Sequence, residues 1–193
     1  MDVTKAIPAR ARVAAHRARL REQGLRPVQI WVPDVRAPEF ARAAHEQSAA
    51  IAAGEQDADD QAFVDAVSWD WTADEEDSAS SVETRVRRGD VYTAAVRGPY
   101  TGKPRPVVVL QDDRFDATTS ITVCPLTTST VAAPLARVPI EATDTNGLGE
   151  VSRLMVDRVT TMPRENLRTR LGRLSDEDVV RLSRAVIVFL GLV

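Results

Sequence analysis

The sequence predicts an α+β protein made of two unlike parts: a small N-terminal module of helices with one β-strand, and a C-terminal module of short strands ending in a helix. Three observations carry this prediction. Apolar residues recur mainly at helical spacing up to about residue 67 and mostly alternate beyond residue 87. Between them WDWTADEEDSASSVET, residues 69–84, is crowded with Ser, Ala, Asp and Glu and has no period, which is the composition of a linker. Charge also changes sign along the chain, from +5 over residues 1–36 to −12 over 37–84 and +4 over 85–193, for a total of −3. A basic head, an acidic middle and a mildly basic tail fit two anion-binding parts joined by a segment able to imitate an anion; the plainer alternative is two solvated domains and an acidic linker. The expected divisions are 1–68, 69–85 and 86–193.

The elements follow in order. Residues 3–23 read as a helix rich in Ala and Arg, stopped by Gly24 and Pro27. VQIWVPD then alternates, with Val28, Ile30 and Val32 on one face and Gln29 and Trp31 on the other, and reads as a short strand. Residues 37–53 form a second expected helix, with Pro38 in its first turn and Gly54 past its end. A third is expected over 58–67, where Phe63, Val64 and Val67 recur at helical spacing. So small a core needs a partner. Downstream, strands are expected over 89–96, 105–111, 120–126, 135–140, 154–161 and 167–174, six short strands that must curl into a small barrel or strongly curved sheet. Ser175 is a good N-cap for a last helix whose apolar stripe runs through Val179, Leu182, Val186 and Phe189 to Gly191. Part of that stripe suits a two-fold contact with a second copy.

Composition excludes several classes of function. No run reaches the roughly 20 apolar residues of a membrane helix, so a cytoplasmic protein without membrane partners is expected. Cys124 is the single cysteine, which rules out an internal disulfide framework and, without clustered His, a structural zinc site; no metal or other cofactor is expected. Asp112, Asp113 and Asp116 follow a strand and read as a turn before they read as a cation site.

The motifs RGDVYTA (88–94), KPRPVVVLQDDRFDAT (103–118), ITVCPLTTS (121–129), SRLMVDRVTTMPRENL (152–167) and GRLSDED (172–178) resemble the MazF/PemK family of growth-inhibiting toxins. The resemblance covers residues 86–193. HRARLREQGLRPVQIWVPDVRAPEF (16–40) and DDQAFVDAV (59–67) resemble a MazE-type antitoxin, so the chain resembles an antitoxin and its toxin fused head to tail. This implies a CcdB/PemK-like, SH3-like barrel that cleaves single-stranded mRNA sequence-specifically, without metal, as a homodimer. Arg105 and Thr127 match the family's catalytic Arg and Thr. Internal RNA cleavage without a metal requires an activated ribose 2′-hydroxyl and stabilisation of a phosphorane, giving 2′,3′-cyclic phosphate ends. Both histidines, His16 and His45, lie in the other module, so Arg, Thr, Ser and backbone donors must do this work. Arg105 brings a fixed, permanently charged fork to phosphate oxygens, and the Thr127 hydroxyl can hold a non-bridging oxygen or relay a proton. Many relatives carry a Glu before the Arg where this chain has Tyr100, a residue able to stack on a base. Lys103, Gln111, Thr128 and Ser129 complete the expected RNA-binding set, and Arg164, Arg168, Arg170 and Arg173 are further candidates for an RNA-facing surface.

Phe63, Val67, Trp69 and Trp71, interleaved with ten acidic residues between 55 and 77, are the expected neutralising anchors that keep the toxin inhibited in cis or in trans. In the antitoxin module a strand followed by two helices suits a ribbon-helix-helix arrangement on operator DNA. Gln29 and Trp31 would face the groove, and Arg26 with the other early arginines the phosphates. The alternative is a segment that only supports toxin binding. Two rival functions remain open at this point: a catalytically inactive DNA-binding corepressor, and a gyrase-directed poison like CcdB. FLGLV at the end, without the Trp-Gly-Ile of CcdB, counts against the latter.

Overall fold

The structure is a computed structural model describing residues 9–68, 86–94 and 104–192. It divides into two compact units, one up to Trp31 and one from Val32 onward.

In the first unit, helix α1 spans Ala9–Glu22, inside the expected range. Gly24 ends it with φ +75°, a left-handed conformation that only glycine adopts without strain, while the Leu25 N–H donates to the Leu20 carbonyl. The expected strand at 28–32 is not found: these residues are extended but pair with no strand among the described residues. A strand exists through its ladder of hydrogen bonds, and alternation alone does not supply one. Val28, Ile30 and Trp31 are accordingly exposed, Trp31 at 76%.

In the second unit, helix α2 (Pro38–Ala52) begins on Pro38, and helix α3 (Asp57–Val67) carries Asp57, Asp59 and Asp60 in its first turn, where carboxylates oppose the helix dipole favourably. Among the described residues seven strands follow, not six: β1 (Asp90–Ala94), β2 (Pro106–Val109), β3 (Ser120–Thr127), β4 (Arg137–Ile140), β5 (Ser152–Met155), β6 (Thr160–Pro163) and β7 (Leu167–Arg173). Their order in the sheet is β4-β5-β3-β2-β1-β7, with β6 also on β3 and every pairing antiparallel. The extra strand arises because the apolar run expected as one strand at 154–161 is broken by a 3₁₀ turn at Val156–Arg158. The halves pair with opposite ends of β3: Leu154 faces Leu126, and Thr160 faces Val123.

The sheet is apolar on both faces, and alternation sorts its residues between them. Val91, Val108, Cys124 and Leu126 belong to one cluster, which is covered by Leu182, Val179 and Val186 of helix α4 (Asp176–Phe189). Tyr92, Val107, Val109, Ile121 and Val123 belong to the other, where Phe63 and Val67 of α3 are fully buried. Ser175 caps α4 by accepting from the Asp178 N–H, and Gly191 closes it with φ +65°. Helices α2 and α3 thus find their missing core on the sheet unit. Ile51 of α2 packs with Ala133 and Ala136, and the Leu135 N–H donates to Gln47 Oε1 at 2.8 Å.

Candidate functional site

The site lies where the first turn of α3 meets the ends of β2, β3 and β4. Arg105 precedes β2, Thr127 ends β3, Arg137 begins β4, and the 3₁₀ turn between β5 and β6 presents Asp157 and Arg158. All are brought together around carboxylates of α3.

Asp60 is at the centre, 2% exposed. Its Oδ1 accepts from the Arg105 guanidinium and from Thr127 Oγ1 at 3.1 Å, while its Oδ2 accepts from Arg137 Nη1 at 3.3 Å. Arg105 also donates to Asp59 and stacks over the Phe63 ring at 5.6 Å, so one α3 side chain fills the apolar cluster beneath the guanidinium that two others neutralise. Arg158 donates to Asp57 and Gln61 one turn away. Arg137 is buried, at 3% exposure, and its second partner is Asp157 at 3.1 Å. Burial pushes the Asp157 carboxyl up against the opposing pull of Arg137. Ser129 donates its N–H to Thr127 Oγ1 at 3.2 Å, which leaves the hydroxyl proton free to point at the anion. Ser129 also lines, with Asp57, Asp60 and Arg137, a small cleft beside the cluster.

Of the residues expected from sequence, Arg105, Thr127, Ser129 and Phe63 converge here, while Val67, at the far end of α3, anchors that helix in the apolar cluster. Thr128 is exposed beside Thr127. Gln111 is engaged elsewhere: its amide nitrogen donates to the Phe115 carbonyl and to Thr118, and its oxygen accepts from the Thr122 N–H. Tyr100, Lys103, Trp69 and Trp71 lie outside the described residues. Arg26, Gln29 and Trp31 are exposed in the first unit. Arg170 and Arg173 pair with buried Asp90 and serve the sheet, while Arg164 holds the Phe115 and Thr118 carbonyls. Asp112 caps a 3₁₀ turn and Asp113 accepts from the Arg88 N–H, so the carboxylates after β2 are turn residues. Cys124 is fully buried and its thiol is pushed far up by burial. Sequence reasoning missed Arg137, Arg158 and Asp157. Their one signal was charge at the rim of apolar strands, which solvated residues also give.

Comparison with known proteins follows the same division. The antitoxin MazE-like family matches residues 10–73, and the family described as PemK-like, MazF-like toxin of type II toxin-antitoxin system matches residues 87–190. The "Probable endoribonuclease MazF" of Mycolicibacterium smegmatis is 62% identical over 107 residues, 55% of this chain and 98% of that protein. "Antitoxin MazE" of the same organism is 73% identical over 64 residues, 33% of this chain and 93% of that protein. A crystal structure of MazE-MazF (Form-III) from Deinococcus radiodurans matches 56% of this chain and 98% of its own at 18% identity, with a TM-score of 0.49 that is too loose to carry an argument. The chain belongs to the MazE-like antitoxins over residues 10–73 and to the PemK-like, MazF-like toxins of type II toxin-antitoxin systems over residues 87–190, antitoxin and toxin in one polypeptide.

Proposed function

We propose that the sheet domain is an endoribonuclease that cuts single-stranded mRNA sequence-specifically, and that α3 holds it inactive in this chain. The observation that carries this reading is the Asp60 carboxylate held by Arg105, Thr127 and Arg137. A carboxylate there presents two anionic oxygens as a phosphodiester does, and the groups around it are donors only or are oriented to donate. When α3 leaves, a phosphodiester takes its place. The ribose 2′-hydroxyl gives its proton to solvent as its oxygen bonds to the phosphorus, the extra charge of the phosphorane falls on Arg105 with Thr127, and the P–O5′ bond breaks as solvent protonates the departing oxygen, giving 2′,3′-cyclic phosphate and 5′-hydroxyl ends. This route needs no metal, because the nucleophile belongs to the substrate and the charge is met by fixed donors. The 62% identical Mycolicibacterium smegmatis protein named a probable endoribonuclease supports an endoribonuclease activity.

The test is the full chain opened at α3 by Phe63→Ala with Asp57→Asn and Asp60→Asn. It should cut RNA in the presence of chelator, and its products should carry cyclic phosphate ends. In that background Arg105→Ala should lower the rate by about 100-fold or more, as the loss of one transition-state donor does. Cleavage of an all-2′-deoxy substrate at the same rate would falsify the 2′-hydroxyl mechanism.

Part of the reading concerns DNA. Helix α1 exposes Arg10, Arg12, Arg17 and Arg19, and the extended residues after it expose Gln29 and Trp31. Paired with a second copy as a ribbon, this segment would read operator DNA, with the arginines on phosphates. Together with mRNA as substrate, this reading implies a cytoplasmic protein that acts as a dimer or larger homo-oligomer.

A further inference from the structure

The carboxylates of α3 do more than neutralise the site, because each contacts a different set of donors. Asp60 reaches Arg105, Thr127 and Arg137, whereas Asp57, three residues earlier, reaches Arg158. Residues i and i+3 on a helix hold their Cβ atoms about 5–6 Å apart on one face. That interval is close to one nucleotide step between phosphates along a single strand.

Arg137 is the more demanding residue. Its guanidinium is 3% exposed and is held by two carboxylates, Asp157 from the sheet domain and Asp60 from α3. A buried cation that loses one of two partners is strongly destabilised unless another anion replaces it. Departure of α3 therefore takes Asp60 from Arg137 and Asp57 from Arg158, and among the described residues these two guanidiniums then share one carboxylate, Asp157. Asp157 Oδ2 touches both Arg137 Nη2 at 3.1 Å and Arg158 Nε at 3.5 Å, so it fixes the two forks relative to each other without cancelling them. The result is a track with net positive charge and two separated anion positions.

We propose that Arg137 and Arg158 are phosphate-binding residues of the toxin domain, Arg137 sharing the scissile phosphate with Arg105 and Thr127, and Arg158 holding the phosphate next to it. Asp60 and Asp57 mark the two positions. The inference rests on the nuclease reading above and extends it, because Arg137 supplies a second guanidinium for the phosphorane and Arg158 sets the register of the strand. Asp157 is a positioning residue for both.

The experiment uses the opened full chain and a single-stranded RNA pool carrying on average one neutral methylphosphonate linkage per molecule, with cleaved and uncleaved fractions sequenced. The opened chain should be blocked by a methylphosphonate at the cut phosphate and slowed by about 10-fold by one at a single adjacent phosphate, the worth of one charge-assisted hydrogen bond. Arg158→Ala should abolish the adjacent interference while leaving that at the cut. It should also reduce the slope of log binding against log salt by roughly 0.7, one phosphate contact on a single strand. Arg137→Gln should lower the cleavage rate by about 100-fold. Arg137→Lys, which keeps the buried charge and guards against misfolding, should recover part of that rate. Adjacent interference that survives Arg158→Ala, or a folded Arg137→Gln chain cutting at the parent rate, overturns the assignment of that residue while the nuclease reading stands. An opened chain that cuts no RNA overturns both.

Discussion

Helices α3 and α4 are alike in length and in task, since each covers one apolar face of the same sheet. Leu182 of α4 is as deeply buried as Phe63 and Val67 of α3. They differ in where their acids go. Asp176, Glu177 and Asp178 of α4 crowd its own first turn, and Asp178 pairs with Arg181 of the same helix. Asp57, Asp59 and Asp60 of α3 occupy the corresponding turn but reach across to Arg158, Arg105 and Arg137. The acids of α4 stabilise a helix, whereas those of α3 occupy a site. On the proposed reading α4 is therefore part of the fold, and α3 is an occupant held by an apolar anchor and by charge together.

The largest test of that contrast is to cut each anchor. Phe63→Ala should cost about 3–5 kcal/mol of burial, which at 1.4 kcal/mol per tenfold raises the released fraction of α3, and with it RNA cleavage by the full chain, by about 100-fold or more. Leu182→Ala should cost about 2–5 kcal/mol as a lower denaturation midpoint with no release of activity. If Leu182→Ala also switched cleavage on, the two helices would be equivalent covers and the distinction would fail.

Next in size is the charge half of the anchor. Asp60→Asn keeps the shape but weakens three charge-assisted hydrogen bonds, and cleavage by the full chain should rise by about 10-fold. Neutralising α4 at Asp178 in the same way should leave cleavage unchanged. An unresponsive Asp60→Asn chain would mean that Phe63 and Val67 alone hold α3 in place.

Much of this arrangement was legible in the sequence, for identifiable reasons. Ser175, Gly24, Gly191 and the turn at Asp112 act through neighbours a few residues away, so local chemistry sufficed to place them. Phe63 and Val67 were legible as an apolar face because helical spacing records burial whatever covers it. What covers it was not legible from spacing, nor were Arg137 and Arg158, because Asp60 and Arg137 lie 77 positions apart and Asp57 and Arg158 lie 101 apart. The break at Val156–Arg158 was hidden for a different reason. Asp157 and Arg158 lie between the apolar residues Leu154, Met155, Val156 and Val159 with no Gly or Pro to mark a turn, yet this turn presents two of the site's charges. Conversely, Val28 to Val32 alternate as a strand should and have no partner strand among the described residues.

A smaller effect separates stability from inhibition. Ser175→Ala removes the N-cap of α4 and should lower stability by about 1 kcal/mol, read as a shift in denaturation midpoint, with cleavage still silent. Activity released by this change would place α4 in the inhibitory contact.

The smallest expected effect reads the site from inside. The Asp157 carboxyl is raised chiefly by burial and further by the negative charge of Asp60, against the pull of Arg137 and Arg158. Opening α3 with Asp60→Asn removes the like charge and admits water, and both changes favour the ionised form. The Asp157 pKa should therefore fall toward the ordinary aspartate range, as measured by carbon NMR titration of the full chain and the variant. The sign matters for stability. A carboxyl raised in the folded state binds its proton more tightly there than in the unfolded chain, so it lowers stability as pH rises from the ordinary aspartate range through its raised value, and it adds nothing further above that. This loss should shrink in Asp60→Asn, while Leu182→Ala, which leaves α3 seated, should keep the raised value. An Asp157 pKa equally low in the intact chain would mean that water already reaches the cluster and that α3 covers the site less closely than α4 covers its own face.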